Sequence, residues 1–319
     1  MKLGQDILYL SDADVRAAGL GLAEVEAAVE AVLAAKAAGR AVMKPKLSLH
    51  APDGALFLAA AGILAAPAYG GVKWVGVADA QNSGLPHIAG TVLLNDAGTG
   101  MPVAILDARW ITGVRTAAIT AVAARRLARP ESARIGFVAC GIQAHAHLAA
   151  LKLHFPLATL RAYSRRLSTA QAFAQEAGAE GLAAAAVEDP RDAVAGMDIV
   201  ITSTPAVPPT PPFLDAAWLA PGSFAGMIDL GLSWISKSLP ALDLVVTDDI
   251  AQAATERLAY PEPYHGEVAG LVVGSLPGRE NAAQRNALVF AGLGLADVAV
   301  AAAVYERAKE AGIGRVLPV

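Results

Sequence analysis

Arg134-Ile-Gly-Phe-Val-Ala-Cys-Gly-Ile-Gln-Ala144, with Ser164-Arg165-Arg166 downstream, is the stretch that decides the fold. Ile135 to Val138 reads as a buried strand, the small residues after it as a tight turn, and Gln143 onward as a helix. Leu160 to Tyr163 reads as a second strand that ends in a hydroxyl and two cations. That is the order a nucleotide-binding βαβ unit requires. Small residues let the backbone approach a pyrophosphate, and the helix N-terminus offers it N–H donors. At the tip of the second strand an acid would accept from a free ribose 2′-hydroxyl, whereas Ser164 and Arg165 suit a 2′-phosphate. The stretch predicts an NADP(H) site, with NAD(H) as the second choice. Its fingerprint is incomplete: Ala139, Gly141 and Ala144 stand where Gly-x-Gly-x-x-Gly is expected. Alone, the segment reads equally as an Ala-rich strand-turn-helix. The pairing with Ser164-Arg165-Arg166 and the βα alternation that follows select the nucleotide reading.

The remainder of the chain narrows the class. With 319 residues there is room for two domains with buried cores. Charged residues make up 17% and the formal net charge is −4, so no basic face argues for nucleic acid. Hydrophobic residues reach 55%, much of it Ala, which favours helix and close packing. The uncharged run Gly54 to Val72 is broken by Pro67 and by glycines and carries few bulky apolar residues. It reads as a buried strand and turn, not a membrane span. The opening Met1-Lys2-Leu3-Gly4-Gln5-Asp6 meets an acid at once and lacks the form of a signal peptide. Cys140 is the single cysteine, which excludes an internal disulfide and reads as a small residue filling the phosphate turn. His145 and His147, two apart on a helix, point to different faces, so no metal is expected. A cytoplasmic protein is expected.

Ile7 to Leu10 is a short strand. Ser11 caps a short helix, and a longer one runs from Leu22 to Ala38, closed by Gly39. Val25, Ala28, Val29, Val32 and Leu33 form its apolar stripe, with Glu24, Glu26, Glu30 and Lys36 mostly outside. Strands follow at Leu47 to Leu49, Ala55 to Ala59, Gly71 to Val77, Thr91 to Asn95 and Pro102 to Leu106. Turns at Asp53-Gly54, Asn82-Ser83-Gly84 and Asp96-Ala97-Gly98 separate them. Thr112 to Leu127 is helical, and Pro130 precedes the switch to alternating strands and helices. That alternation runs through Ile135 to Val138, Leu160 to Tyr163, a helix Ser168 to Ala177, Ile199 to Thr202, Ser223 to Ile228 and Leu244 to Thr247. A last apolar helix, Leu295 to Ala311, closes at Gly312 and is expected to return to the first half.

Several phrases now line up: Asp96-Ala-Gly-Thr-Gly-Met-Pro102, Ile111-Thr-Gly-Val-Arg-Thr-Ala-Ala118, Gly141-Ile-Gln-Ala144, Thr202-Ser-Thr-Pro205 and Gly292-Leu-Gly-Leu-Ala-Asp297. Together they resemble the ornithine cyclodeaminase/μ-crystallin family over nearly the whole chain. The resemblance implies an α/β protein with a Rossmann-type parallel-sheet domain and an α+β substrate and dimerisation domain. The expected division is 1–115 for substrate binding and dimerisation, joined by 295–319, and 116–294 for NAD(P) binding. It implies a homodimer and hydride transfer at the α-carbon of an amino or imino acid.

The resemblance also carries residues. Arg115 and Lys73 match the family's substrate-carboxylate binders, a guanidinium fork that grips in two places and an ammonium point charge. Lys46 falls where many members have arginine, which keeps the charge and loses the fork. Thr116, Gly141, Ile142, Gln143, Ala144, Ser164, Arg165, Arg166, Thr202, Ser203, Thr204 and Met227 are the expected cofactor contacts. Phe57 stands where ornithine-acting members carry a glutamate, and a phenyl ring would not suit a distal ammonium. Asp229 lies near the position of a cyclodeaminase aspartate. It reads as a proton donor to the reacting nitrogen or as a capping acid after a strand, with Lys73 as the other candidate catalytic group. The expected activity is NADPH-dependent reduction of Δ1-pyrroline-2-carboxylate or Δ1-piperideine-2-carboxylate. The alternatives are an alanine-type amino-acid dehydrogenase, an ornithine cyclodeaminase, and a non-catalytic NADPH-binding protein.

Overall fold

The uncharged run after Gly54 folds as a hairpin whose arms, Leu56–Ala65 and Ala68–Val77, close the register Ala65 to Ala68 and set Ala60 opposite Lys73. The computed structural model describes the chain except residues 1, 53, 79–83, 206–209, 257–258 and 262. Asp53 and Asn82-Ser83 of the expected turns therefore lie outside the described residues. Contacts divide the chain into two units, Met1–Arg115 with Leu293–Val319, and Thr116–Gly292.

In the first unit the described strands form one sheet in the order Arg315–Pro318, Asp6–Leu10, Pro102–Asp107, Ile88–Asp96, Ala68–Val77, Leu56–Ala65, Ala41–Met43. Leu47–His50 also pairs with Leu56–Ala65. Pairing is antiparallel except between Asp6–Leu10 and Pro102–Asp107. Side chains alternate across a strand, so Lys73, Val75 and Val77 turn to one face and Trp74 to the other. The buried face carries the helix Gly294–Ala311. The helix sits close because two facing positions lack a side chain. A Cβ at Gly62 would lie 2.9 Å from Leu295 Cδ2, and one at Gly71 3.2 Å from Val298 Cγ2. The helix Leu22–Ala37 packs on Gly294–Ala311 and buries Val25, Val29, Val32 and Leu33 as its periodicity predicts. Glu26, expected outside that stripe, is buried with them. Among the described residues no helix is long and apolar enough to cross a membrane.

The second unit is a parallel sheet of Rossmann type. Its order is Ala183–Val187, Thr159–Tyr163, Arg134–Val138, Ile199–Thr202, Phe224–Met227, Asn286–Val289, Leu244–Thr247, Gly266–Glu267. The first five strands of this unit thus lie in the order third, second, first, fourth, fifth. The stepping direction reverses between Arg134–Val138 and Ile199–Thr202, the place where doubly wound folds bind ligands at their strands' carboxyl ends. At the opposite ends Asp198 fastens the sheet. It accepts from the backbone N–H groups of Ala133 and Arg134 at 3.0 and 2.9 Å, and from Arg129 and Arg134 Nη2 at 2.7 and 2.9 Å. Burial alone would raise the Asp198 carboxyl, but the donors of Arg134 and the backbone outweigh it and hold the group below its ordinary value.

The helix Ile142–Leu151 docks through His147, fully buried, with Nδ1 2.7 Å from the Gln143 carbonyl and Nε2 3.0 Å from Thr120 Oγ1. Burial lowers this imidazole from 6.5 to about 4. Between those values the unfolded chain takes up a proton that the native ring refuses. The stabilisation is therefore complete above pH 6.5 and falls as the pH drops towards 4, by on the order of a few kcal/mol. In denaturant titrations across this window, His147→Gln is expected to flatten the slope of stability against pH, whatever its effect on absolute stability. An unchanged slope would contradict the assignment.

Candidate functional site

The nucleotide-binding reading rests on the second unit. The strand Arg134–Val138 delivers the chain into the turn Ala139-Cys140-Gly141, and the helix Ile142–Leu151 begins with Gly141 as its N-cap. No side chain caps that end, and Ala144 N–H donates to the Gly141 carbonyl at 2.9 Å. A Cβ at Gly141 would meet nothing within 4 Å. Gln143 Oε1 is buried with no hydrogen-bond partner among the described residues. A helix end with no side-chain cap and clear space beside it fit the phosphate bridge of a dinucleotide. Ala139, at the position of the fingerprint's first glycine, takes φ 71°, a left-handed conformation unusual for alanine. Cys140 is buried against the Tyr163 carbonyl, and burial pushes its thiol up to about 12, which makes it inert filling.

Other expected cofactor residues sort by exposure. Ser164 is half-buried at the end of Thr159–Tyr163. Arg165 and Arg166 are exposed and have no ion-pair partner among the described residues. Ser203 N–H donates to the Val138 carbonyl at 3.0 Å and its hydroxyl reaches the Ala139 carbonyl at 3.4 Å, so the Thr202–Thr204 segment lies against the phosphate turn. Ile142 is 62% exposed. Ala144 and Met227, by contrast, have fully buried side chains, and Met227 belongs to the core with Val138, Val200 and Trp234. Thr116 is buried in the helix Arg109–Leu127, where its carbonyl accepts from Thr120 Oγ1 at 3.1 Å.

Asp229 follows the strand Phe224–Met227 and is 6% exposed. Its carboxylate accepts from Thr202 Oγ1 at 2.9 Å, Thr204 Oγ1 at 2.8 Å, Thr204 N–H at 3.3 Å and Ser233 Oγ at 2.7 Å.

The carboxylate-binding reading rests on the first unit. Lys73 Nζ and Arg115 Nε both donate to the same oxygen, Asp297 Oδ1, each at 2.9 Å. Lys73 Nζ also lies 3.4 Å from Thr112 Oγ1. All three charged residues are buried, at 6%, 5% and 1% exposure. Burial, then the charges of Arg115 and Lys46, lowers the Lys73 ammonium to about 8, against the opposing pull of Asp297. Lys46, half-buried, is thus within electrostatic reach of the cluster.

Asp297 is the residue to which sequence reading assigned no role. Its signal was an acid in the first turn of an otherwise apolar helix, where the helix dipole favours negative charge. Phe57 belongs elsewhere. It stacks on Trp74 with ring centroids 5.7 Å apart, on the sheet face opposite Lys73. It therefore gives no argument about what the cluster around Lys73 accepts.

The sequence profile of the ornithine cyclodeaminase/mu-crystallin family matches residues 8–312. An alanine dehydrogenase of Archaeoglobus fulgidus is 30% identical over 308 residues, which cover 92% of this chain and 93% of that protein. Among solved structures, an archaeal alanine dehydrogenase dimer with bound NAD matches with a TM-score of 0.88 and 28% identity, over 98% of this chain and 99% of that one. A Δ1-pyrroline-2-carboxylate reductase of Thermococcus litoralis, in complex with NADH and L-proline, matches with a TM-score of 0.87 and 26% identity, over 97% and 99%.

The left-handed Ala139 yields a stability test. A side chain in this conformation costs about 1–2 kcal/mol, so Ala139→Gly is expected to stabilise the protein by about 1 kcal/mol in denaturant titration. Equal or lower stability would count against strain at this turn.

Proposed function

The chain belongs to the ornithine cyclodeaminase/mu-crystallin family, and from that premise we propose that it is a nicotinamide-dependent oxidoreductase that reduces a cyclic α-imino acid with NADPH. The observation that carries the reading is the sharing of one Asp297 oxygen by Lys73 and Arg115. Lys73 and Arg115 bring two cations together in a nearly dry place, and the charge of Lys46 acts on Lys73. A guanidinium fork and an ammonium gathered in one buried place suit the two oxygens of a substrate carboxylate.

The bound cofactor would supply the hydride, delivered to the imine carbon. The chain's own work is placement. Arg115 and Lys73 fix the carboxylate, with Lys46 as a further cation, so the adjacent C=N carbon is presented in one orientation, a large part of the barrier in such reactions. As the carbon gains hydride, the C=N π pair moves to nitrogen, which takes a proton from water unless the substrate arrives as the iminium. The products are proline from Δ1-pyrroline-2-carboxylate and pipecolate from Δ1-piperideine-2-carboxylate. Ser164 at the strand end, beside the exposed Arg165 and Arg166, supports a 2′-phosphate and hence NADPH over NADH. The similarity to alanine dehydrogenases favours a second reading, ammonia-dependent reduction of a keto acid.

A homodimer is part of the proposal. Leu47, Leu49, Phe57, Ile63 and Trp74 of the first unit's sheet are exposed and apolar, a surface suited to burial against a second copy. Light scattering is expected to give twice 32.5 kDa, and Trp74→Glu to shift it towards a single chain.

Absorbance at 340 nm tests the activity directly. Loss of signal with either imine supports the reductase. Loss only with keto acid and ammonia points to the dehydrogenase, and no loss with any of these refutes reduction. Arg165→Ala is expected to weaken NADPH binding by roughly 1.5–3 kcal/mol, one charge-assisted contact, and to leave NADH unchanged. Because the Lys73 ammonium sheds its proton near pH 8, KM for the imino acid is expected to rise above that pH while cofactor affinity holds. A flat KM would remove Lys73 from carboxylate binding.

A further inference from the structure

Asp229 is a buried acid for which the reduction proposed above has no direct use. Its four donors come from two segments: Thr202 ends the strand Ile199–Thr202 and Thr204 follows it, and Ser233 lies in the turn after Phe224–Met227. These are the fourth and fifth strands of the second unit. In doubly wound sheets the first three strands form one mononucleotide-binding half and the next strands form the other. The phosphate turn and Ser164-Arg165-Arg166 belong to the first half, so the Asp229 segments lie on the side that serves the nicotinamide nucleotide.

The turn after Asp229 is built around that carboxylate. Leu230 takes φ 61° and Gly231 φ 71°, successive left-handed residues that fold the chain back. The reversal lets the Ser233 hydroxyl reach Asp229. A bulky non-glycine residue holds such a conformation only where its surroundings impose it. The next residue, Trp234, is fully buried and donates from Nε1 to Thr202 Oγ1 at 3.2 Å, while that hydroxyl donates its own O–H to Asp229 Oδ1. The Ile228 N–H donates to the Thr202 carbonyl at 2.8 Å and adds a backbone tie between the same segments. The hydroxyls of Thr202, Thr204 and Ser233 converge on one carboxylate.

We propose that Asp229 is a positioning residue that holds the Thr202–Thr204 segment and the Leu230–Ser233 turn in register to receive the nicotinamide half of the cofactor. The inference rests on the cofactor reading above, so its test measures binding separately from turnover. The probes are NADPH and NADH, followed by nicotinamide fluorescence, and their adenosine fragments, adenosine 2′,5′-bisphosphate and AMP, followed by calorimetry.

For Asp229→Asn, in which an amide N–H₂ faces donors in place of an acceptor, the dinucleotide dissociation constant is expected to rise about tenfold or more. Affinity for the adenosine fragment is expected to stay at the wild-type level. The residual rate should keep the wild-type pH profile. Wild-type dinucleotide affinity in Asp229→Asn, with loss of a limb of the pH profile, would overturn the proposal in favour of direct proton transfer. If Asp229→Asn binds neither dinucleotide nor fragment, Thr204→Ala decides, since it removes a single hydroxyl. Selective weakening of the dinucleotide supports positioning, and unchanged affinity overturns it. A wild-type protein that binds neither dinucleotide would overturn the cofactor reading and this inference together.

Discussion

One oxygen of Asp297 holds two buried cations, and the first unit is arranged so that it can. Removing Lys73 and Arg115 from water without a counter-ion would cost several kcal/mol per charge. Asp297 offsets part of that cost, and its place in the first turn of Gly294–Ala311 stabilises its own charge through the helix dipole. The helix must lie against the strands for the 2.9 Å contacts to form, and Gly62 and Gly71 make that approach possible by lacking side chains where Leu295 and Val298 arrive. Larger residues at either position would push the helix outward and leave the cations without their anion. Packing and electrostatics are therefore one constraint: the two glycines serve the ion cluster as much as the core.

The second unit solves a different problem with the same side chain. A parallel sheet exposes rows of backbone groups and loops at both ends, and a buried aspartate organises each. Asp198 gathers N–H and guanidinium donors at the amino ends of the strands. At the carboxyl ends, Asp229 gathers hydroxyls, and Asp248 accepts from the backbone N–H groups of Ala291 and Gly292 at 2.7 and 2.8 Å. A carboxylate that accepts several donors at once fixes more backbone than any neutral group of its size. Such bracing suits the carboxyl ends, where the loops must be held open for a ligand instead of collapsing onto one another.

The pattern of the sequence announces the parts whose physics is local. Ser11 and Asp14 form the capping box expected of a helix start, the Val25 to Leu33 stripe is buried, and Ile199–Thr202 and Leu244–Thr247 fall where the apolar runs predict. The strands that escape notice are held by their neighbours. Ala183–Val187 is four alanines and a valine, a composition that favours helix, yet it pairs in register with Thr159–Tyr163. Arg315–Pro318 is exposed throughout and becomes a strand by lying along Asp6–Leu10. The candidate sites divide in the same way. The phosphate turn is contiguous and can be read directly. The pairing of Lys73 with Asp297 joins residues far apart in the chain and has no local signature, and the four donors around Asp229 come from segments that only the sheet brings together. Phe57 lies on the sheet face opposite Lys73 because the face a side chain takes depends on strand register, which a neighbouring motif does not fix.

The charge distribution ties these features to the ligands. The chain as a whole is acidic, at −4, yet both places read as binding sites are locally cationic: Lys73, Arg115 and Lys46 in one unit, Arg165 and Arg166 in the other. An acidic surface discourages nonspecific capture of polyanions, so the anions that bind are those able to enter where positive charge is concentrated. The two places differ in how the solvent treats them. Arg165 and Arg166 stand in water, where salt screens their pull over about a Debye length. Lys73 and Arg115 lie under a sheet and a helix, beyond the reach of that screening. Any pull that the first pair exerts on an anion is thus graded by ionic conditions. The field of the second pair is set by the protein, through Asp297, whose Oδ1 accepts from both cations at 2.9 Å.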